Sequence, residues 1–182
     1  MAGCLTLSLL FGSGWYASAQ DLQVVESSQC LAFVDYDLIV TVELFRSRSG
    51  TTPIVNLIAL SKGAWELQPD DFELIDQSGE VRKPANFVFE TSDPEQPYRN
   101  PYLMLRGPDS AGFDLEGSFN DVEALSRVTL DGGEDFLQLV PLDCDDFEKL
   151  LERIGNLELG SGNQVVEFQT LNIPLLGERR PK

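Results

Sequence analysis

The side chains able to do chemistry in this 182-residue chain are its carboxylates, its cysteines and one aromatic, Arg-bearing stretch, for histidine is absent. Without an imidazole, Ser-His-Asp triads, zinc sites built on His and His proton shuttles are excluded. A cysteine nucleophile would have to rely on Lys or Arg to form its thiolate. Thirty Asp and Glu against 13 Lys and Arg make a carboxylate pair of the glycosidase kind trivially available, yet no spacing selects two of them. The expectation is therefore a chain without its own chemistry and without a cofactor. A formal charge of −17 also repels polyanions, which excludes nucleic acid as a partner.

Two acid clusters could offer the oxygen ligands that calcium prefers. One is Asp131, Glu134 and Asp135 around Gly132 and Gly133; the other is Asp143, Asp145 and Asp146. Neither has the alternating acids, central glycine and distant Glu of an EF-hand loop. The first reads as a turn and the second as a helix cap, so no metal site is assigned. Trp65 is the ring that would stack on a sugar face, with a core position as its rival. The proline-rich segment Thr91 to Pro101 is expected to be an extended loop that interrupts strand pairing, and it carries Tyr98, Arg99 and Asn100, with Tyr102 just beyond it. They concentrate amphipathic rings and a guanidinium as protein-recognition surfaces do. They are the expected partner-binding residues. The rival is that the rings close the end of the fold while Arg99 pairs with a carboxylate.

These groups must be held by a core, and 42% hydrophobic residues suffice for one. Residues 1–19 carry no charged side chain and combine the apolar run Leu5 to Phe11 with Ala17, Ser18 and Ala19. This predicts a signal peptide cut after Ala19, although its n-region lacks Lys and Arg, and a buried N-terminal segment is the alternative. Residues 20–182 then form a single domain, periplasmic or extracellular, with no membrane span. In an oxidising compartment the remaining pair, Cys30 and Cys144, reads as one disulfide closing nearly the whole domain. The basic tail Arg179, Arg180, Pro181 and Lys182 reads as a frayed terminus or an anchor for an anionic surface.

The dominant hydrophobic period is two. From Leu31 to Phe45 every even position is apolar, predicting one long strand with a single bulge. Ile54 to Leu60 is a second strand, and Phe72 to Ile75 followed by Asp76, Gln77, Ser78 and Gly79 before Val81 predicts a hairpin. Further strands are expected at 87–89, 102–105, 126–130, 136–140 and 165–171. Phe147, Leu150, Leu151 and Ile154 have the spacing of one amphipathic helix, capped by Asp143, ended by Gly155 and carrying an Asp145 to Lys149 pair. The fold class is mostly β, an antiparallel sandwich with one C-terminal amphipathic helix.

Phe72, Leu74, Asp76, Gly79 and Pro84 form the pattern F-x-L-x-D-x-x-G-x-x-x-x-P. It resembles a hairpin of bacterial secreted immunoglobulin-like modules of uncharacterised function, over about a dozen residues. Antibody-type domains fit less well: Trp65 lies between the two cysteines, but their separation is too long and Leu142 stands where a tyrosine corner belongs. The resemblance implies an immunoglobulin-like sandwich with a binding or structural role, and it transfers no functional residue. The reading is thus a secreted or periplasmic module that binds another extracytoplasmic protein. Calcium-dependent or carbohydrate binding is the alternative.

Overall fold

A computed structural model describes residues 27–47, 50–61, 63–91, 93, 96–155 and 174–182. The expected signal peptide and the expected strand at 165–171 lie outside these residues. The strands are β1 (Ser27–Val34), β2 (Leu38–Ser47), β3 (Gly50–Ala59), β4 (Ala64–Leu67), β5 (Phe72–Asp76), β6 (Val81–Arg82), β7 (Asn86–Phe89), β8 (Tyr98–Asn100), β9 (Leu103–Arg106), β10 (Asp109–Glu116), β11 (Leu125–Asp131), β12 (Asp135–Leu142) and β13 (Glu178–Pro181). The helix α1 spans Cys144–Gly155. All pairings are antiparallel. The main sheet runs β6-β5-β11-β12-β1-β2-β3-β10-β7-β8, with β13 beside β12, and β4 pairs with β9 in a separate ribbon.

This sheet is doubled over on itself. The order places seven strand steps between β5 and β7, which in a flat sheet would be about 34 Å at ~4.8 Å per step. The rings of Phe72 on β5 and Phe87 on β7 are instead 6.0 Å apart and edge to face, and Phe72 lies 6.2 Å from Phe113 on β10. The inward faces of the two halves therefore share one core, whose fully buried members include Leu31, Val40, Leu57, Leu74, Val128 and Leu137. Burying each such side chain contributes roughly 1.5–3 kcal/mol against leaving it in water.

The stretch expected as one strand from Leu31 to Phe45 is a hairpin. Tyr36 and Asp37 form its loop; Asp35 N–H donates to the Leu38 carbonyl at 2.9 Å, and Asp35 Oδ1 accepts from Tyr36 N–H at 2.7 Å. A two-residue loop pairs odd positions with even ones, as in Phe33 with Val40 and Leu31 with Val42. The inward set therefore switches from Leu31 and Phe33 to Leu38, Val40, Val42 and Leu44, while Ala32 and Val34 point outward. Unbroken alternation concealed the turn because β1 is covered on both faces, leaving Cys30 to Val34 each at most 2% exposed.

Helix α1 supplies the outer cover. Leu150 packs on Ala32, Val34, Ile39, Ile58 and Leu60, with Leu151 at the margin. Asp143 Oδ1 accepts from Asp145 N–H at 3.0 Å, as expected of its cap. Lys149 pairs with Asp146 at 2.7 Å, one turn position away from the expected Asp145. Cys30 and Cys144 are bonded, their Cα atoms 5.4 Å apart, so the disulfide fastens the start of the helix to β1.

The hairpin β5–β6 forms where the spacing placed it. Asp76 is 7% exposed, and its Oδ1 accepts from Ser78 N–H (2.9 Å), Ser78 Oγ–H (2.5 Å) and Glu80 N–H (3.0 Å). Arg82 donates to Oδ2 through Nε and Nη2. Gly79 takes φ +88°, the left-handed turn position that a side chain disfavours. The Ser78 hydroxyl first of all, and then the Glu80 amide and Arg82, outweigh burial and hold the Asp76 carboxyl down at about 2.

The basic tail is neither frayed nor a free anchor. It forms β13 on β12, and its charges are spent within the fold, Arg179 on Asp35, Asp37 and Asp135, and Lys182 on Asp131. Strands β4, β8, β10 and β13 were not expected. Gly112 and the polar residues Asp109, Ser110 and Asp114 dilute the alternation of β10, and a strand of Glu, two Arg and Pro has no apolar period at all.

Candidate partner-binding edge

The segment Thr91 to Pro101, expected to be an extended loop, ends in a strand. Its turn is organised by Thr91, whose Oγ1 lies 2.7 Å from the Asp93 carbonyl and 3.0 Å from that of Gln96. The chain then returns along β7, pairing Phe89 with Tyr98, Val88 with Arg99 and Phe87 with Asn100. With three residues, β8 is the terminal strand of the sheet, a short one as exposed edges usually are.

Strand alternation divides the expected binding group. Tyr98 and Asn100 share the side of Phe87 and Phe89, while Arg99 lies with Val88 on the outer face. There Arg99 Nε meets Glu116 Oε1 at 2.7 Å, and Asn86 Nδ2 donates to Glu116 Oε2 at 2.9 Å. These donors, Arg99 first, hold the Glu116 carboxyl below its ordinary value. Arg99 thus fixes β8 to β10 across β7 and does not stand beside Tyr98 as a free cation.

Tyr98 is 57% exposed, the outermost member of an aromatic series. Its ring lies 6.2 Å from Phe89, Phe89 lies 5.7 Å from Phe113, and Phe113 lies 4.7 Å from Phe87 in the core. A ring set on such a series is held without much loss of its own freedom on binding, which is what an interface anchor requires. Asn100 Oδ1 accepts from Tyr102 N–H at 3.2 Å, turning the chain toward β9. Tyr102 is 37% exposed, and burial first, then Glu66 beside it, pushes its phenol upward. Met104, 42% exposed, pairs with Glu66 across the β4–β9 ribbon and extends the exposed apolar line beyond Tyr102. Neither Met104 nor Glu66 stood out in the sequence, because only the pairing of two short strands brings them together.

The outer face of the same region is acidic. Asp114 lies between Val88 and Ile54 on neighbouring strands, and burial, reinforced by Glu90, raises its carboxyl to about 6.

The other candidate groups are engaged within the fold. Asp131 accepts from Lys182 and from Gly133 N–H, in the turn expected of it. Among the described residues no group of three or more His, Cys, Asp and Glu side chains is placed to hold a metal ion. Trp65 is half-buried on β4 against the main core, and a Cβ on Gly132 would come within 3.2 Å of its ring. Among the described residues no helix is long and apolar enough to cross a membrane. No known protein family, curated protein or solved structure matches this chain.

Proposed function

We propose that this chain is a non-enzymatic binding or structural module of the periplasm or extracellular space, which engages another protein through its β8–β9 edge. The aromatic series ending in exposed Tyr98 on a terminal strand carries the reading, and Tyr102 and Met104 enlarge the patch. A terminal strand offers main-chain donors and acceptors to an extended segment of a partner, and a braced ring beside it supplies a side-chain anchor. The Cys30–Cys144 disulfide supports an oxidising compartment. The doubled antiparallel sheet with a shared core supports a sandwich, and the ordered F-x-L-x-D-x-x-G hairpin supports an immunoglobulin-like module.

The test is panning of a displayed library of extended peptides on the wild-type protein and on a Tyr98→Ala/Tyr102→Ala chain. Peptides that bind the wild type and lose at least tenfold in affinity for the variant, with the melting temperature of the variant unchanged, are the expected result. Peptides that bind both chains equally, or none at all, refute this edge as the binding surface.

A further inference from the structure

Along one edge, β12 has two successive neighbours. Val140, Pro141 and Leu142 pair with β1, whereas Asp135 to Gln138 pair with β13. Between the two registers β1 leaves β12 and opens a slot. The segment Leu176–Pro181 fills it, first bridging to β1, where Val34 and Leu176 exchange both backbone hydrogen bonds (2.9 and 3.0 Å), and then running along β12.

The slot is selective. Arg179 pairs in register with core-facing Leu137 and lies 5.8 Å from the Phe33 ring. Its guanidinium meets Asp37 at 2.6 Å, Asp35 at 3.0 Å and Asp135 at 3.7 Å. Two of these acids belong to the β1–β2 loop and the third starts β12. Gly177 has φ +84°, and a Cβ there would lie 2.5 Å from the Gln138 carbonyl and 2.8 Å from the Phe33 ring. Leu176 packs beside the α1 cluster, and Lys182 closes the far end on Asp131 and the Glu134 carbonyl. The slot thus reads the pattern Leu-Gly-x-Arg through an apolar seat, a position with no room for a side chain and an acidic cage.

We propose that this segment is an exchangeable strand, and that the slot takes the same segment from a second copy of the chain, reciprocally, to give a two-fold dimer. Residues 156–173 link Gly155 to Pro174, and 18 residues reach as far as about 60 Å when extended, enough to enter a neighbouring copy. Every contact of the closed form is then remade between chains. The chain's own segment competes at an effective concentration on the order of millimolar, and −17 charges on each copy oppose pairing. The wild type therefore exchanges when concentrated and at raised salt. This inference is independent of the Tyr98 edge.

Two full-length variants separate strand from slot. One carries Arg179→Glu, and the other carries Asp35→Lys with Asp37→Lys. Alone, each sets a strand against a slot of like charge; mixed, every slot meets a strand of opposite charge. The expected result is a 1:1 dimer in native mass spectrometry and light scattering that appears only on mixing, while a chain carrying all three changes is a monomer. A mixture that stays monomeric, with both variants folded by circular dichroism, overturns the proposal. If either variant fails to fold, a labelled peptide of residues 174–182 is titrated onto the full-length Arg179→Ala chain. Saturable binding at least tenfold tighter than that of the same peptide with Arg179→Glu supports the slot, and equal or absent binding overturns it.

Discussion

Replacing both Cys30 and Cys144 by Ala tests how the sheet and helix are held together. The bridge closes a loop with a sequence separation of 114. The chain-entropy relation gives about 5 kcal/mol of stabilisation for a loop of that size, through restriction of the unfolded chain. In a domain of this length each kcal/mol moves the midpoint by roughly 2–4 °C, so the melting temperature of the double variant is expected to fall by about 10–20 °C. The loss is local at first. Of the groups that seat α1, Phe147 and Leu150 are its buried apolar side chains, Leu150 on the outer face of β1, and Cys144 is the first residue of the helix. Under mild denaturant, amide exchange over 144–155 should accelerate before exchange in β2 and β3, whose hydrogen bonds do not involve the helix. Calorimetry and hydrogen exchange on the oxidised wild type and the double variant give both quantities. A fall below about 3 °C, or loss of protection in β2 together with the helix, would refute the claim that the bridge restrains both the unfolded chain and the helix start.

Three other outcomes follow from the packing and the charges. Phe72→Ala removes the ring that joins the two halves of the sheet and should cost roughly 3–5 kcal/mol in urea unfolding, against about 0.5 kcal/mol or less for exposed Phe136→Ala. Gly79→Ala and Gly177→Ala both place a side chain at positive φ, but only the second drives a Cβ into a neighbouring carbonyl. It should lower the melting temperature clearly more than the first, and equal losses would contradict the described path of the tail. Asp76, held at about 2 against 3.8 unfolded, contributes stability that is present above pH ~4 and lost as pH falls toward about 2; Asp114, raised to about 6, contributes stability present below pH ~4 and lost as pH rises through about 6. Urea midpoints measured from pH 2 to 8 should therefore show a shallower acid limb in Asp76→Asn, with the part due to Glu116 and Asp131 remaining, and a shallower decline between about 4 and 6 in Asp114→Asn.

What was legible in the sequence depended on whether an element's neighbours lay close in the chain. The β5–β6 hairpin could be placed because Asp76, Ser78, Gly79 and Glu80 form a local circuit in which each residue answers a need of the turn. The helix could be placed because Asp143 caps it and its apolar stripe has one period. The β1–β2 turn was hidden by a condition that no local pattern contains. Because α1, more than a hundred residues later, covers the outer face of β1, apolar residues occupy both parities there, and the switch of the inward set at Tyr36 and Asp37 resembles continued alternation.

The same logic separates the two surfaces on which function would rest. Tyr98 and Tyr102 were visible as residue types, since they are two of only four tyrosines in the chain and sit among clustered prolines. Their division from Arg99 was not, because it follows from a three-residue strand that exists only by pairing with β7. The slot for β13 is the extreme case, since neither half of it carries a signal alone. Leu176, Gly177, Glu178 and Arg179 look like a charged terminus, and Asp35 and Asp37 look like part of a solvated strand, until the hairpin turn brings the two acids under the guanidinium of Arg179, 142 positions beyond Asp37. A basic tail in a chain of charge −17 is thus explained by its own acids, and so its first electrostatic partner is this protein itself, in one copy or in two.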